Sequence, residues 1–443
     1  MPIDADMELL LRRTNPWLWD ASTWDRQWQA MQPEVYIPRL PLGWDRALLK
    51  DRVTLVIGPR RAGKTTLLWQ CVKDLGPALL HVNCEEPLFR SWCRSPGRFA
   101  GDLAEVLPAP GALLFDEVQH LDDAGLFLKG LVDLRLGVPI LATGSSAFHL
   151  QARTRESLAG RALRLRLLPL SLEEVVPDDE GAAPLVMRGR RRDAVKRMLV
   201  QGSYPEVWLG AEADRLLSEL VEGVVVRDAS DLFRIDHPDA FRRLLRLMAT
   251  QVGSLVNMAE WASICGVSAR TVQRYASILE EAHVVSLVRP FVSGKRAEIT
   301  GAPKVFFHDN GIRNAVLGRL APLDRRDDLG ALWENWLFSE IAKAVHPLLD
   351  SVGHWRTRSG AEVDLVVQAG ERLVAVEAKA GAVGEPRLSR GARSFIAACS
   401  PDRFLLAHSG PRHEADVDGC PVVWTEPSEV ISLLRASIGN GRE

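Results

Sequence analysis

The sequence contains no apolar run near the roughly 20 residues that a bilayer-spanning helix needs, so no membrane partner is expected. Its opening residues, MPIDADMELLLRRTNPW, lack the basic-then-apolar order of a secretory leader. Six cysteines (71, 84, 93, 265, 399 and 420) show no disulfide or metal spacing, which predicts reduced thiols in a cytoplasmic protein. An excess of one charge is missing too. Lys plus Arg is 55 against 57 Asp plus Glu, a net charge of −2, so any nucleic-acid contact must come from local basic patches. No internal repeat or low-complexity tract is present. Tyrosine is scarce at 3, whereas tryptophan reaches 13, with four of them between residues 17 and 28.

The 443 residues suggest about three domains. With 47% apolar and 25% charged residues the chain is folded rather than disordered or fibrous. Residues 1–45 form a Trp-rich arm in which Trp17, Trp24 and Trp28 recur at helix-like spacing, predicting a stripe that docks on the next domain. Short apolar runs at 53–57, 78–82, 112–116 and 139–143 alternate with helical stretches. That pattern predicts a parallel α/β sheet in a domain spanning 46–175. An acidic loop, 175–184, precedes the basic run RGRRRDAVKR (188–197), and 185–250 reads as a helical lid. Residues 251–312 form another unit, and 327–443 return to mixed α/β.

Gly58-Pro59-Arg60-Arg61-Ala62-Gly63-Lys64-Thr65 matches G-x-x-x-x-G-K-[ST] between a strand and a helix that continues with Thr66. The glycines let successive backbone N–H groups converge on phosphate oxygens, and the helix N-terminus adds its partial positive charge. Lys64 is expected on the β/γ-phosphates of ATP and Thr65 on Mg²⁺. The run LLFDE ends a strand with Asp116, expected to hold magnesium through water, and Glu117, expected to polarise the attacking water. A third strand ends at Thr143-Gly-Ser145, where Thr143 or Ser145 would sense the γ-phosphate between the two motif strands. Arg161 is the candidate arginine finger, acting in its own subunit or across an interface.

The P-loop, LLFDEVQ, ATGSSA, SLAGRALRLRLLPLSLEE and QGSYPEV (201–207) together resemble the bacterial and archaeal AAA+ superfamily ATPases that carry a C-terminal domain of unknown function. The resemblance covers roughly residues 40–440. It implies an additional-strand, AAA-like nucleotide domain and leaves the cellular role open.

Residues 257–281 read as a helix-turn-helix. Ala259, Ala262 and Ile264 are the apolar residues of the first helix. Gly266 makes the turn, Ser268 caps, and Val272, Tyr275, Ile278 and Leu279 form a buried stripe. Arg270, Thr271, Gln273 and Arg274 face outward, where a recognition helix meets a DNA major groove. A strand, a loop with Lys295 and Arg296, and a returning strand complete a winged helix with a basic wing, in agreement with the family resemblance.

In AEVDLVVQAGERLVAVEAK (361–379), a type II′ turn at Gly370-Glu371 pairs residues whose numbers sum to 741. Asp364 then faces Glu377, with Lys379 on the same face, and the opposite face is apolar. This is the Asp…Glu-x-Lys set of the PD-(D/E)xK restriction-endonuclease-like fold, in which two carboxylates bind Mg²⁺ and the lysine assists the attacking water. Glu334, on an upstream helix, offers a further acid.

Together these readings predict an oligomeric, Mg²⁺-dependent ATPase acting on DNA, a hexameric ring being one form of assembly. The alternative is a nucleotide-controlled switch or scaffold that recruits a protein partner, with an inert nuclease-like domain.

Overall fold

The computed structural model describes residues 4–41, 44, 47–144, 158–223, 235–291, 301–379, 381 and 386–439. Ser145, Lys295 and Arg296 lie outside the described residues. The chain divides into two compact units, Met1–Leu168 with Glu281–His283, and Pro169–Glu280 with Val284–Glu443. No helix among the described residues is long and apolar enough to cross a membrane. All six cysteines are free thiols.

In the first unit, strands β1 (Val53–Ile57), β2 (Leu79–Asn83), β3 (Ala112–Asp116), β4 (Ile140–Gly144) and β5 (Ala162–Arg166) form one parallel sheet. Its order is β2-β3-β4-β1-β5. All five β1 residues are buried, as a central strand covered on both faces requires. Leu55 and Ile57 join one core with Phe99, Phe127 and Leu128, while Val56 joins another with Leu67, Leu68 and Trp69.

The Trp-rich arm docks on this second layer. Trp17 packs edge-on against Trp69 at 5.9 Å, and its ring N–H donates to Leu79 C=O at 2.8 Å. Trp28 donates to Trp69 C=O at 2.9 Å. The three tryptophans do not share one helix: Trp17 lies in a 3₁₀ turn, Pro16–Leu18, and the helix Trp24–Ala30 carries the other two. Pro16 starts that turn and Asp20 caps the next one through Ser22 N–H.

In the second unit, the helices Met258–Cys265 and Ala269–Glu281 meet at Gly266, whose φ of +70 permits the sharp reversal. Ser268 Oγ accepts from Thr271 N–H at 3.1 Å, as expected of a cap. Val272, Tyr275, Ile278 and Leu279 are buried. On the first helix the buried residues are Trp261, Ala262 and Cys265, whereas Ala259 and Ile264 are exposed. The indole of Trp261 takes the core because it buries far more surface than either aliphatic side chain. The antiparallel pair β6 (Val285–Val288) and β7 (Lys304–Phe307) follows.

A mixed sheet completes this unit: β8 (Asp350–Arg356), β9 (Glu362–Ala369), β10 (Arg372–Ala378), β11 (Arg403–Ala407), β12 (His413–Val417) and β13 (Cys420–Thr425). Its order is β12-β13-β11-β10-β9-β8. Arg372 pairs with Ala369 and Val376 with Leu365, all summing to 741, and Gly370 adopts φ +61. The chain at 289–291 runs along β8: Phe291 N–H donates to His354 C=O at 2.6 Å, covering the sheet edge.

Candidate active site

The strand order places β4 between β1 and β3, so the tips of three strands converge beside the Gly-rich turn. Gly58 follows β1 directly, and a side-chain β-carbon there would fall 1.9 Å from Leu167 C=O, which only glycine avoids. Gly63 turns left-handed at φ +90 to start the helix Lys64–Cys71. Lys64 is buried, and its ammonium donates to Gly58 C=O at 3.1 Å and Pro59 C=O at 2.9 Å. Burial pushes its pKa down, while the Glu117 and Asp116 carboxylates act the other way. Arg60 approaches Glu85 at 3.7 Å. Arg61 is exposed at φ +59, Pro59 and Ala62 are buried, and Thr66 continues the helix.

Thr65 Oγ1 lies 2.9 and 3.1 Å from the two Asp116 oxygens, joining the helix start to the end of β3. Thr143, buried at the tip of β4, donates to Asp116 and accepts from Glu117 N–H at 2.9 Å. Glu117 itself is left-handed, at φ 54 and ψ 49, an uncommon conformation for a non-glycine residue. The Gln119 side-chain amide donates to its carboxylate. The phosphate-site motifs name neither Gln119 nor Arg39, which donates to Ala62 C=O.

These positions fit a nucleotide phosphate chain with Mg²⁺: a glycine cradle, a buried lysine, and a hydroxyl facing a carboxylate. Arg161 does not belong to this set. It precedes β5 at the sheet's opposite end, where its C=O accepts from Val53 N–H and its guanidinium pairs with Asp133 at 2.9 Å. Four residue steps along β5, roughly 13 Å, separate that end from the one beside Gly58. Arg161 thus stands away from the Gly58 turn of its own chain.

The second unit gathers the expected acids, and apolar residues share the face that carries them. Val366, Ala375, Phe404 and Leu406 pack under the helix Arg390–Cys399 on the carboxylate side of the sheet. Glu377 is 4% exposed, and its oxygens meet Lys379 Nζ at 2.6 Å and Ser389 Oγ at 3.0 Å. Asp364 accepts from Ala378 N–H at 2.8 Å. Lys304, buried at the start of β7, reaches Glu334 at 3.0 Å and also Glu362. Burial and the nearby Asp364 push the Glu334 carboxyl up, partly offset by Lys304. Burial raises Asp364 as well.

Among the described residues no group of three His, Cys, Asp or Glu residues could hold a metal ion. Lysine ammoniums, a backbone N–H and a serine hydroxyl contact these carboxylates. No sequence signal flagged Lys304, because it acts only after three distant segments converge.

On the helix Ala269–Glu281, Arg270 and Gln273 are exposed. Thr271 is half-buried in the Ser268 cap, and Arg274 pairs with Asp236 at 2.9 Å. The basic run lies on the helix Pro184–Gln201, where Arg190 and Arg191 pair with Asp179 and Asp178 of the acidic loop.

A parallel sheet in this order, with the glycine turn on β1 and the acid pair on β3, defines an additional-strand P-loop nucleotide-binding domain. Residues 50–176 match the AAA domain family. Residues 192–322 and 329–423 match two domains of unknown function, DUF8612 and DUF4143. Uncharacterized proteins of Mycobacterium bovis and Mycobacterium tuberculosis are each 29% identical over 377 residues, covering 82% of this chain and 78% of the relative. Among solved structures, the replication initiator DnaA bound to AMPPCP and single-stranded DNA is similar at a TM-score of 0.24 and 14% identity, covering 57% of this chain and 92% of that one. At that TM-score the overlay bears on neither substrate nor assembly.

Proposed function

We propose that this protein hydrolyses ATP at the Gly58–Thr65 site and couples the cycle to contact with DNA. The observation that carries the reading is the joining of Thr65, Asp116, Thr143 and Glu117 in one hydrogen-bonded set. The turn's N–H groups and Lys64 bind the phosphates. The Thr65 hydroxyl and, through water, Asp116 would hold a Mg²⁺ ion, which would supply positive charge against the phosphates. Glu117 takes a proton from water as its oxygen attacks the γ-phosphorus. The bond to the β-phosphate oxygen breaks, leaving ADP and inorganic phosphate. Thr143 orients both acids from between the motif strands.

Arg161, at the far end of its own sheet, is assigned to completing the site of a neighbouring copy in a homo-oligomer such as a hexameric ring. DNA contact is assigned to a winged helix in which Arg270 and Gln273 face outward. The C-terminal domain is read as a PD-(D/E)xK-like sheet whose acids, Glu377 buried and Asp364 and Glu334 half-buried, pair with Lys379 and Lys304, and no cleavage is assigned to it.

A second reading, a nucleotide-controlled switch acting on a protein partner, is favoured by the pairing of Arg190, Arg191 and Arg274 with acids of the same chain. ATP turnover with Mg²⁺, in the absence and presence of single-stranded, duplex and branched DNA, separates the two. Stimulation by one DNA form supports the first. Slow turnover that no DNA alters would replace it with the second.

A further inference from the structure

The segment before β1 sends one side chain into the nucleotide domain. Arg39 is 7% exposed. Its guanidinium donates to Ala62 C=O at 2.5 Å and to Leu168 C=O at 2.6 Å. These two carbonyls stand at different walls of the site: Ala62 is the residue before Gly63 in the glycine turn, and Leu168 follows β5. The neighbouring Leu167 N–H donates to Ile57 C=O at 2.8 Å, so this second wall runs beside the end of β1.

We propose that Arg39 is a positioning residue that presets the phosphate cradle by fixing the Ala62–Gly63 peptide. A trans peptide is planar, with its C=O and N–H on opposite sides. Holding Ala62 C=O against Arg39 turns Gly63 N–H away from Arg39, towards the side where the turn collects phosphate oxygens. Gly63 sits at φ +90 and ψ 24, where the absence of a side chain leaves this peptide free to rotate. An external clamp therefore has something to hold. A protonated guanidinium on the carbonyl also polarises the peptide and strengthens its N–H as a donor. Leu168 C=O aims the same guanidinium from the other wall, as a planar two-donor fork allows.

The inference rests on the reading of Gly58–Thr65 as a nucleotide site, and its test separates the two. Affinity for ADP is measured on the full chain for wild type, Lys64→Ala, Arg39→Ala and Arg39→Lys, with the melting temperature recorded without and with ADP. Arg39→Ala is expected to lose roughly 10- to 100-fold in ADP affinity, the scale of a lost charged hydrogen bond. The ADP-induced rise in melting temperature should shrink far more than the ligand-free value falls. Arg39→Lys should recover part of the affinity, since one ammonium still reaches one carbonyl. A clamp that merely ties the arm to the domain would lower the ligand-free melting temperature and leave the affinity of the folded protein alone.

ADP affinity of Arg39→Ala within twofold of wild type overturns the inference while leaving the nucleotide site standing. Failure of wild type itself to bind, or binding undiminished in Lys64→Ala, overturns both. Should Arg39→Ala not fold, Arg39→Gln takes its place: weakened ADP binding in a folded Arg39→Gln protein supports the clamp, and unchanged binding rejects it.

Discussion

The Thr143 hydroxyl accepts the Glu117 backbone N–H at 2.9 Å, so the tip of β4 holds the residue that follows β3 in a left-handed conformation. The same hydroxyl donates to Asp116. One side chain therefore sets the direction of both acids. Thr143→Val, close in shape but without the hydroxyl, is expected to slow ATP turnover roughly 100-fold, the lower end of the range for lost general-base help. ADP affinity should stay within a few-fold, and Thr143→Ser should keep most of the rate. Steady-state turnover beside equilibrium binding checks this.

The QGSYPEV segment has a structural explanation. Gly202 adopts φ 70 and ψ −159, and a β-carbon there would fall 2.1 Å from Asp309 Oδ1. Asp309 is buried and accepts from Ser203 N–H at 2.7 Å and Ile312 N–H at 3.0 Å. Gly202→Ala is therefore expected to cost at least about 2 kcal/mol, from strained backbone plus a displaced buried carboxyl. Calorimetry should show a lowered transition for the second unit, and an unchanged one would contradict the assignment.

The buried acids also set a pH dependence. The Glu334 carboxyl is pushed up to about 8, so the folded chain holds that proton more tightly than the unfolded chain. The resulting stability is fully present below the ordinary value of 4.5 and is lost as pH rises through about 8. His354 works in the opposite sense. Burial lowers it from 6.5 to about 4, so its contribution is lost only as pH falls below 6.5. Between pH 6.5 and about 8.5 stability should therefore decline, by at most about 1.4 kcal/mol per pH unit for one proton. Glu334→Gln should flatten the slope. Denaturant melts across that window provide the measurement.

DNA contact through the outer helix face makes a separate prediction. Arg270→Ala should weaken duplex binding and reduce the slope of log affinity against log salt by about 1 if Arg270 meets a phosphate. Arg274→Ala should change it less, because Asp236 already holds that guanidinium. Fluorescence anisotropy over a salt series reads both, and a slope unaffected by Arg270 would rule out that contact.

Local rules made much of this legible in the sequence. Strand-turn-helix around Gly58–Thr65 follows from residue types at fixed spacing. The 741 register follows from a two-residue turn, which leaves antiparallel partners no freedom. Long-range convergence was not legible. Arg161 looked close to the site because it lies near β4 in sequence, yet a parallel connection returns the chain to the far end of the sheet before β5 begins. Lys304 meets Glu334 and Glu362 only once three segments have folded together. Strand β12, HEADV, offers only Ala415 and Val417 as an apolar alternation, too short a signal to announce it.

The central claim is hydrolysis at this one site, and Glu117→Gln tests it most directly. ATP turnover and ATP affinity are measured side by side with wild type. The account predicts turnover at least ~100-fold slower with affinity preserved, the scale of removing a general base. Turnover equal to wild type would place the chemistry elsewhere and contradict the account.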